Sequence, residues 1–280
     1  MKQLRAVCVS RDHKWVVCGT YNGASVWDGE MHENLITVEG EKKVWAVDVS
    51  PDSTRFATGT DRFEMSIWSI TTGKRLVGPL QHSNSVTGVK FSPNGEQVAT
   101  AYFRGRIRIF DGRNGDGLIT IDTTTPYSAA ITPLAWSSDG QRIFATSDHN
   151  KKIRSFDVST GARLTELEIP SRVYGAYSLV LAPNSKFIAT FAGHSVSFLD
   201  ASTLARTGPA IEGDAGIRSI AISQDSSYIA TGQHDGKIAI RNLSKILPAL
   251  YGPFHVSICA LIVPAYWTSP TLTNCAGTTR

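Results

Sequence analysis

His149, His194 and His234 are the residues of this 280-residue chain whose type and spacing most readily suggest chemistry. Three imidazoles would suffice for a catalytic zinc, but all must reach one ion at about 2 Å. Each stands in a turn before a separate short strand, roughly forty residues from the next, so the turns are held apart and the histidines read as exposed turn residues. No metal site is expected. Gly-x-Ser-x-Gly, Gly-Lys-Ser/Thr and His-Glu-x-x-His are all absent, and residues 112–117, though Gly-rich, lie between two strands, where a surface turn and not a phosphate cradle is expected. Asn242-Leu243-Ser244 is a single sequon and carries no weight without a signal peptide. Cofactors and small-molecule substrates are not implied. The stronger lead is basic: Arg62, Arg104, Arg106, Lys151 and Lys152 fall at corresponding places in successive stretches. Such cations would form one arc on one face if the chain folds as a repeat, and an acidic partner is the chemistry they fit.

A repeat is present. Trp27-Asp28, Trp68-Ser69, Phe110-Asp111, Phe156-Asp157, Leu199-Asp200 and Arg241-Asn242 close six similar stretches, in steps of 41, 42, 46, 43 and 42 residues. A second phase agrees: turns built on Ser10-Arg11-Asp12, Ser50-Pro51-Asp52, Ser92-Pro93-Asn94, Ser137-Ser138-Asp139, Ala182-Pro183-Asn184 and Ser223-Gln224-Asp225 recur in steps of 40, 42, 45, 45 and 41. An apolar strand precedes each turn, a second follows it, a third ends at the closing dipeptide, and a weaker fourth comes after a Gly-containing turn. Each unit reads as a four-stranded antiparallel meander, and a period in the forties means one supersecondary unit repeated around a core.

These residues resemble the WD-repeat β-propellers, whose blades carry a Ser-Pro-Asp-Gly turn, an Ala-Ser-Gly stretch and a Trp-Asp end. The resemblance covers residues 1 to 253 and is closest to degenerate arrays common in fungi. It implies an all-β fold of six four-stranded antiparallel blades; residues 256–263 can be read as the first strand of an incomplete seventh, or residues 256–277 as a retained intron, so a ring of six or of seven blades is left open. Well-formed family blades link a His before the first strand, a Ser or Thr on the second, an Asp in the next turn and the closing Trp. No blade here has all four: the third offers His82 and Thr100 but Arg104 in place of the Asp, and the sixth has Thr231 and Asp235 but closes in Arg241 and lacks the His. Apolar packing must carry more of the stability. Pro133 in a first strand fits an edge where a missing N–H is tolerated.

Composition sets the remaining bounds. With 41% hydrophobic and 19% charged residues the chain can bury one domain, residues 1–253, followed by a tail, 254–280, that falls out of register. The longest apolar run, residues 256–267, is shorter than the roughly 20 a membrane helix needs, and no signal or transit pattern appears, so a cytoplasmic protein is expected, with the nucleus left open. Cys8, Cys18, Cys259 and Cys275 show no metal spacing and read as buried free thiols. The start at a first strand suggests part of something longer, and the tail is also compatible with a retained intron.

The resemblance implies a non-catalytic scaffold whose loops meet protein partners, at Arg62, Arg104, Arg106, Lys151 and Lys152. Nucleic acid is not expected, because a net charge of +4 is modest and exposed aromatics do not interleave the arc. Two other readings stand beside it. The chain could be the C-terminal sensor array of a larger signalling NTPase, which upstream sequence would reveal. A propeller lactonase or hydrolase would need acidic and His residues converging at the channel, where His82 and Asp214 are only scattered candidates.

Overall fold

Most strands in this chain are apolar on both faces, so a sheet made from four of them must be covered on both sides. The computed structural model describes residues 4–39, 43–102, 106–123, 134–147, 152–168 and 179–247. The first sheet is β1 (Leu4–Val9), β2 (Trp15–Thr20), β3 (Gly23–Asp28) and β4 (Asn34–Glu39), paired in that order. The second runs β5 (Val44–Val49), β6 (Arg55–Thr60), β7 (Glu64–Ser69), β8 (Arg75–Gln81), and the third β9 (Val86–Phe91), β10 (Gln97–Tyr102), β11 (Arg106–Asp111), β12 (Gly117–Asp122). The fourth is β13 (Leu134–Trp136), β14 (Arg142–Ser147), β15 (Lys152–Asp157), β16 (Arg163–Glu168), and the fifth β17 (Leu179–Leu181), β18 (Phe187–Ala192), β19 (Ser195–Asp200), β20 (Ile211–Glu212). The sixth has three strands among the described residues, β21 (Ile217–Ile222), β22 (Tyr228–Gln233) and β23 (Ile238–Asn242), followed by a single helical turn, α1 (Leu243–Ile246). All pairings within the sheets are antiparallel, and consecutive sheets meet through their inner strands: the molecule is the expected propeller.

The repeated sequence turns have one geometry. In the second sheet Ser50 Oγ donates to Asp52 Oδ1 at 2.5 Å and accepts the Arg55 N–H at 2.9 Å, so one hydroxyl closes the link between β5 and β6. Ser10, Ser92, Ser137 and Ser223 donate in the same way to Asp12, Asn94, Asp139 and Asp225. The next residue takes a left-handed conformation in all six turns: His13, Ser53, Gly95, Gly140, Ser185 and Ser226 have φ between 54° and 74°. The closing Asp has a separate task. Asp28 Oδ1 accepts the amides of Glu30 and Met31, and Asp111, Asp157 and Asp200 each accept two amides at the same offsets, turning the chain toward the fourth strand.

Five hydrophobic clusters hold the array, each between one sheet and the next. Val17, Ala24 and Val26 of the first sheet pack on Val44, Phe56 and Trp68 of the second, and Met65 and Ile67 of the second pack on Val86, Val89 and Phe91 of the third. Packing explains the glycine next to last in β6: a Cβ on Gly59 would stand 2.7 Å from Val86 Cγ1 and 2.9 Å from Val89 Cγ2. The polar chain of the family is split between blades. Trp68 Nε1 donates to Thr58 Oγ1 at 3.0 Å in the second sheet, whereas in the third His82 Nε2 meets Thr100 Oγ1 at 2.9 Å and Phe110 closes the strand with no donor. Burial pushes His82 down to about 4, with the nearby Arg108 charge acting the same way. Cys8 and Cys18 are free thiols, half-buried and not fully enclosed; desolvation, helped by Asp48, pushes Cys8 up to about 12. Pro133, Cys259 and Cys275 lie outside the described residues.

Candidate partner-binding face

The turns between second and third strands emerge at one end of the sheets, where the first strands also begin. Arg62 is exposed in such a turn, between Asp61 and the exposed Phe63. The backbone fixes its surroundings: Asp61 N donates to Lys43 O at 3.0 Å, at the start of the same sheet, and Ser85 Oγ donates to Asp61 O at 3.4 Å, from the start of the next. Arg62 makes no ion pair among the described residues.

The rest of the expected arc is differently placed. Arg106 and Lys152 begin the third strands of their sheets, as the repeat requires, but both are engaged by carboxylates of their own fourth strands. Arg106 Nε donates to Asp122 Oδ1 at 2.8 Å, and this hydrogen bond raises its already high pKa. Lys152 Nζ lies 2.9 Å from Glu166 Oε1. Glu166 also takes Arg154 Nε at 2.6 Å and Arg163 Nη1 at 2.9 Å, and the hydrogen bonds from Arg154 and then Lys152 hold its carboxyl down at about 2. Partners on the blade therefore offset charge that the sequence presents as free. Arg104 and Lys151 lie outside the described residues, as do Phe103 and His149. Tyr102 is packed in the core, with only 3% of its surface exposed. His194 and His234 are exposed turn residues, and no metal-holding group of His, Cys, Asp or Glu occurs among the described residues.

A second cationic group, with aromatics, lies beside Arg62 across the first two sheets. Arg5 Cζ sits 4.5 Å from the Tyr21 ring centroid and 4.9 Å from that of Trp45, and Lys43 Nζ sits 5.2 Å from Tyr21. Desolvated cations over such rings gain on the order of 1 kcal/mol or more. Trp45 Nε1 is buried with no hydrogen-bond partner among the described residues, as is Asp61 Oδ1. Tyr21 occupies the turn between β2 and β3, Lys43 immediately precedes β5, and Arg5 and Trp45 are the second residues of β1 and β5. The signal in the sequence was the phase of the repeat: Arg5 and Trp45 stand 40 residues apart, at equivalent positions of β1 and β5. Reading only the turns between second and third strands passed over them.

Nearer the middle of the first strands, Asp48 is buried and ties three sheets together. Its Oδ1 accepts from Lys90 Nζ at 2.6 Å and faces Cys8 Sγ at 3.6 Å, while Oδ2 accepts the Phe91 N–H at 2.8 Å. The carboxylate is consumed by these partners, which makes it a joint between blades.

Comparison with known proteins agrees with this geometry. The model of the WD domain, G-beta repeat, matches residues 32–69, 74–111 and 206–242. Each match starts at or before the outer strand of one sheet and ends with the third strand of the next. Eukaryotic translation initiation factor 3 subunit I of Scheffersomyces stipitis is 30% identical over 161 residues, covering 52% of this chain and 45% of that protein. The serine-threonine kinase receptor-associated protein of Gallus gallus is 25% identical over 75% of this chain and 58% of its own. WD repeat-containing protein 1 of Xenopus tropicalis is 24% identical over 78% of this chain and 36% of its own. The chain thus spans roughly a third to three-fifths of these relatives. The β-propeller domain of Cps50 (Swd1) from Myceliophteria thermophila superposes with a TM-score of 0.75 at 14% identity, over 88% of this chain and 85% of that one, which speaks for the fold alone. Among the described residues no helix is long and apolar enough to cross a membrane.

Proposed function

This chain is a WD-repeat β-propeller, and from that premise we propose that it is a non-catalytic interaction scaffold that receives an acidic protein segment on the face of its second-to-third-strand turns. The observation that carries the reading is the patch around Arg62. Exposed Arg62, which makes no ion pair among the described residues, stands beside Arg5, which lies over Tyr21 and Trp45, and Lys43, which lies over Tyr21. Arg, Tyr and Trp are the residues that concentrate binding energy at interfaces, and the cations here suit an acidic segment. Arg104 and Lys151 extend the same face in the sequence, and Arg106 and Lys152 would have to exchange Asp122 and Glu166 for a partner's acidic groups. The centre of the docking site accordingly lies over the first and second blades, with the third and fourth at its margin.

Affinity capture with the tagged chain, followed by mass spectrometry, identifies the partners. The discriminating comparison is a variant carrying Lys43→Glu and Arg62→Glu. Loss of most of a captured set that is also salt-sensitive, with an unchanged β-sheet circular dichroism spectrum, supports the reading. An unchanged set returns Arg62 to an ordinary turn residue and directs attention to the opposite face, where Asp52, Asn94, Asp139, Asn184 and Asp225 lie. Turnover of generic lactones or esters would overturn the non-catalytic assignment.

A further inference from the structure

Two large apolar side chains stand on left-handed backbone among the described residues, Leu204 with φ 60° and Phe63 with φ 69°. That conformation is unfavourable for a residue of such size, and it persists only where the surroundings hold it. Packing offsets it at Leu204, which is 2% exposed and lies in one cluster with Phe144, Ile188 and Leu199. Phe63 has no such compensation: it is 41% exposed and belongs to none of the five clusters. The repeat shows which residue the backbone favours there. Gly59 faces Met65 in the second sheet as Gly232 faces Ile238 in the sixth, so Phe63 and Gly236 hold the same place in their turns. Gly236 has φ 82°, and a Cβ on it would meet no atom within 4 Å. In the third repeat of the sequence Gly105 stands at this place, directly before Arg106.

The turn around Phe63 is pinned on both sides. The Asp61 N–H donates to Lys43 O at 3.0 Å, the His82 N–H donates to Phe63 O at 2.7 Å, and Ser85 Oγ donates to Asp61 O at 3.4 Å. Gln81 Nε2 donates to Glu64 Oε1 at 2.8 Å. These bonds hold an unfavourable torsion and carry the ring into solvent beside Arg62. We propose that Phe63 is the apolar anchor of this docking face, so that the acidic segment received there carries a large apolar side chain next to its carboxylates. The inference rests on the reading of the face as the site of an acidic partner and adds the second half of what that partner must contain. Phe63 supplies apolar contact without reordering of the backbone, while Arg62 and Lys43 meet the flanking acidic groups.

The test selects phage-displayed random twelve-residue peptides on the full chain and measures the most enriched peptide by fluorescence anisotropy. Enriched sequences should combine Asp or Glu with Leu, Ile, Met, Phe or Trp. Phe63→Gly should bind that peptide at least tenfold more weakly with its salt dependence retained, and its Tm should stay within about 3 °C of wild type, because glycine relieves the torsion. Phe63→Leu, which keeps an apolar side chain, should bind at least threefold more tightly than Phe63→Gly. The variant carrying Lys43→Glu and Arg62→Glu should lose the salt-dependent part of the affinity. A loss of less than tenfold in Phe63→Gly, or equal losses in Phe63→Gly and Phe63→Leu, overturns the anchor. So does a larger fall in Tm for Phe63→Gly, since the ring would then be packing within the fold. If the anchor fails while the charge-reversed variant still loses binding, the acidic docking face stands without it. Unchanged affinity in the charge-reversed variant sinks the face itself, and with no enriched peptide on the wild type both readings fall.

Discussion

Lowering the pH from about 7.5 to about 5.5 should destabilise this propeller mainly through one imidazole. His82 is 8% exposed, its Nδ1 faces the Leu80 carbonyl at 3.0 Å, and its Nε2 meets the Thr100 hydroxyl at 2.9 Å, with the Tyr102 and Phe110 rings at 5.2 and 5.5 Å. A carbonyl can only accept, so Nδ1 carries the hydrogen and Nε2 takes the Thr100 proton, the arrangement of a neutral ring. Burial lowers the folded-state pKa to about 4, whereas the unfolded chain titrates at 6.5. The unfolded state therefore binds the proton first. The penalty is absent above the unfolded value, grows as pH falls through it, and levels off below the folded value. At about pH 5.5 linkage gives about 1.4 kcal/mol, equivalent to about 3–5 °C in Tm for a chain of this size, and at about pH 4.5 about 2.5 kcal/mol. The assay is thermal or urea unfolding of the wild type and of His82→Gln across this range. The variant is less stable at neutral pH, because its side chain fills the space between the rings less well, but its profile should be flatter by those amounts. Parallel profiles for the two proteins would refute the reasoning, as would an imidazole NMR titration placing His82 near 6.5.

Glu166→Gln should cost stability at neutral pH and flatten the acid limb between about pH 4.5 and 2, because a carboxylate held at about 2 by Arg154 and Lys152 contributes stability above its unfolded pKa and loses it as pH falls toward the folded value; urea midpoints across that range check it. Asp48→Ala should lower stability by about 2 kcal/mol by leaving the buried Phe91 N–H without its acceptor, while Asp48→Asn should retain much of it, since the amide oxygen can still accept. Gly59→Ala should cost about 1–3 kcal/mol, because its Cβ would meet both Val86 and Val89; at Gly236, with φ +82° and no atom within 4 Å, the same change is a backbone effect of about 1 kcal/mol, so calorimetry should rank Gly59 as the more sensitive. Replacing Arg106 with Glu opposite Asp122 should destabilise by no more than about 1 kcal/mol, since both partners are exposed.

The sequence by itself determined the blade. The Ser-x-Asp turn is local chemistry, in which a hydroxyl, a carboxylate and one left-handed residue close on themselves within six residues, and the closing Asp caps its own turn within three. Those features need no distant partner, so their period, the four-strand order and the face reached by Arg62 could be read from spacing alone. Charge state could not. Arg106 and Lys152 have the spacing of free turn cations, but strand pairing brings Asp122 and Glu166 onto them, and which residues meet depends on a register set by the hairpin between. Contacts between blades were equally out of reach, because radial packing joins residues forty or more apart with no local rule between them. It set Asp48 against Lys90 and Cys8, and Arg5 against Trp45. It also left Ile238 and Ile240 bare where every preceding blade covers their equivalents. Local hydrogen bonding is written in neighbouring residues, whereas the burial of a face depends on whether another sheet arrives to cover it, and only the assembled structure decides that.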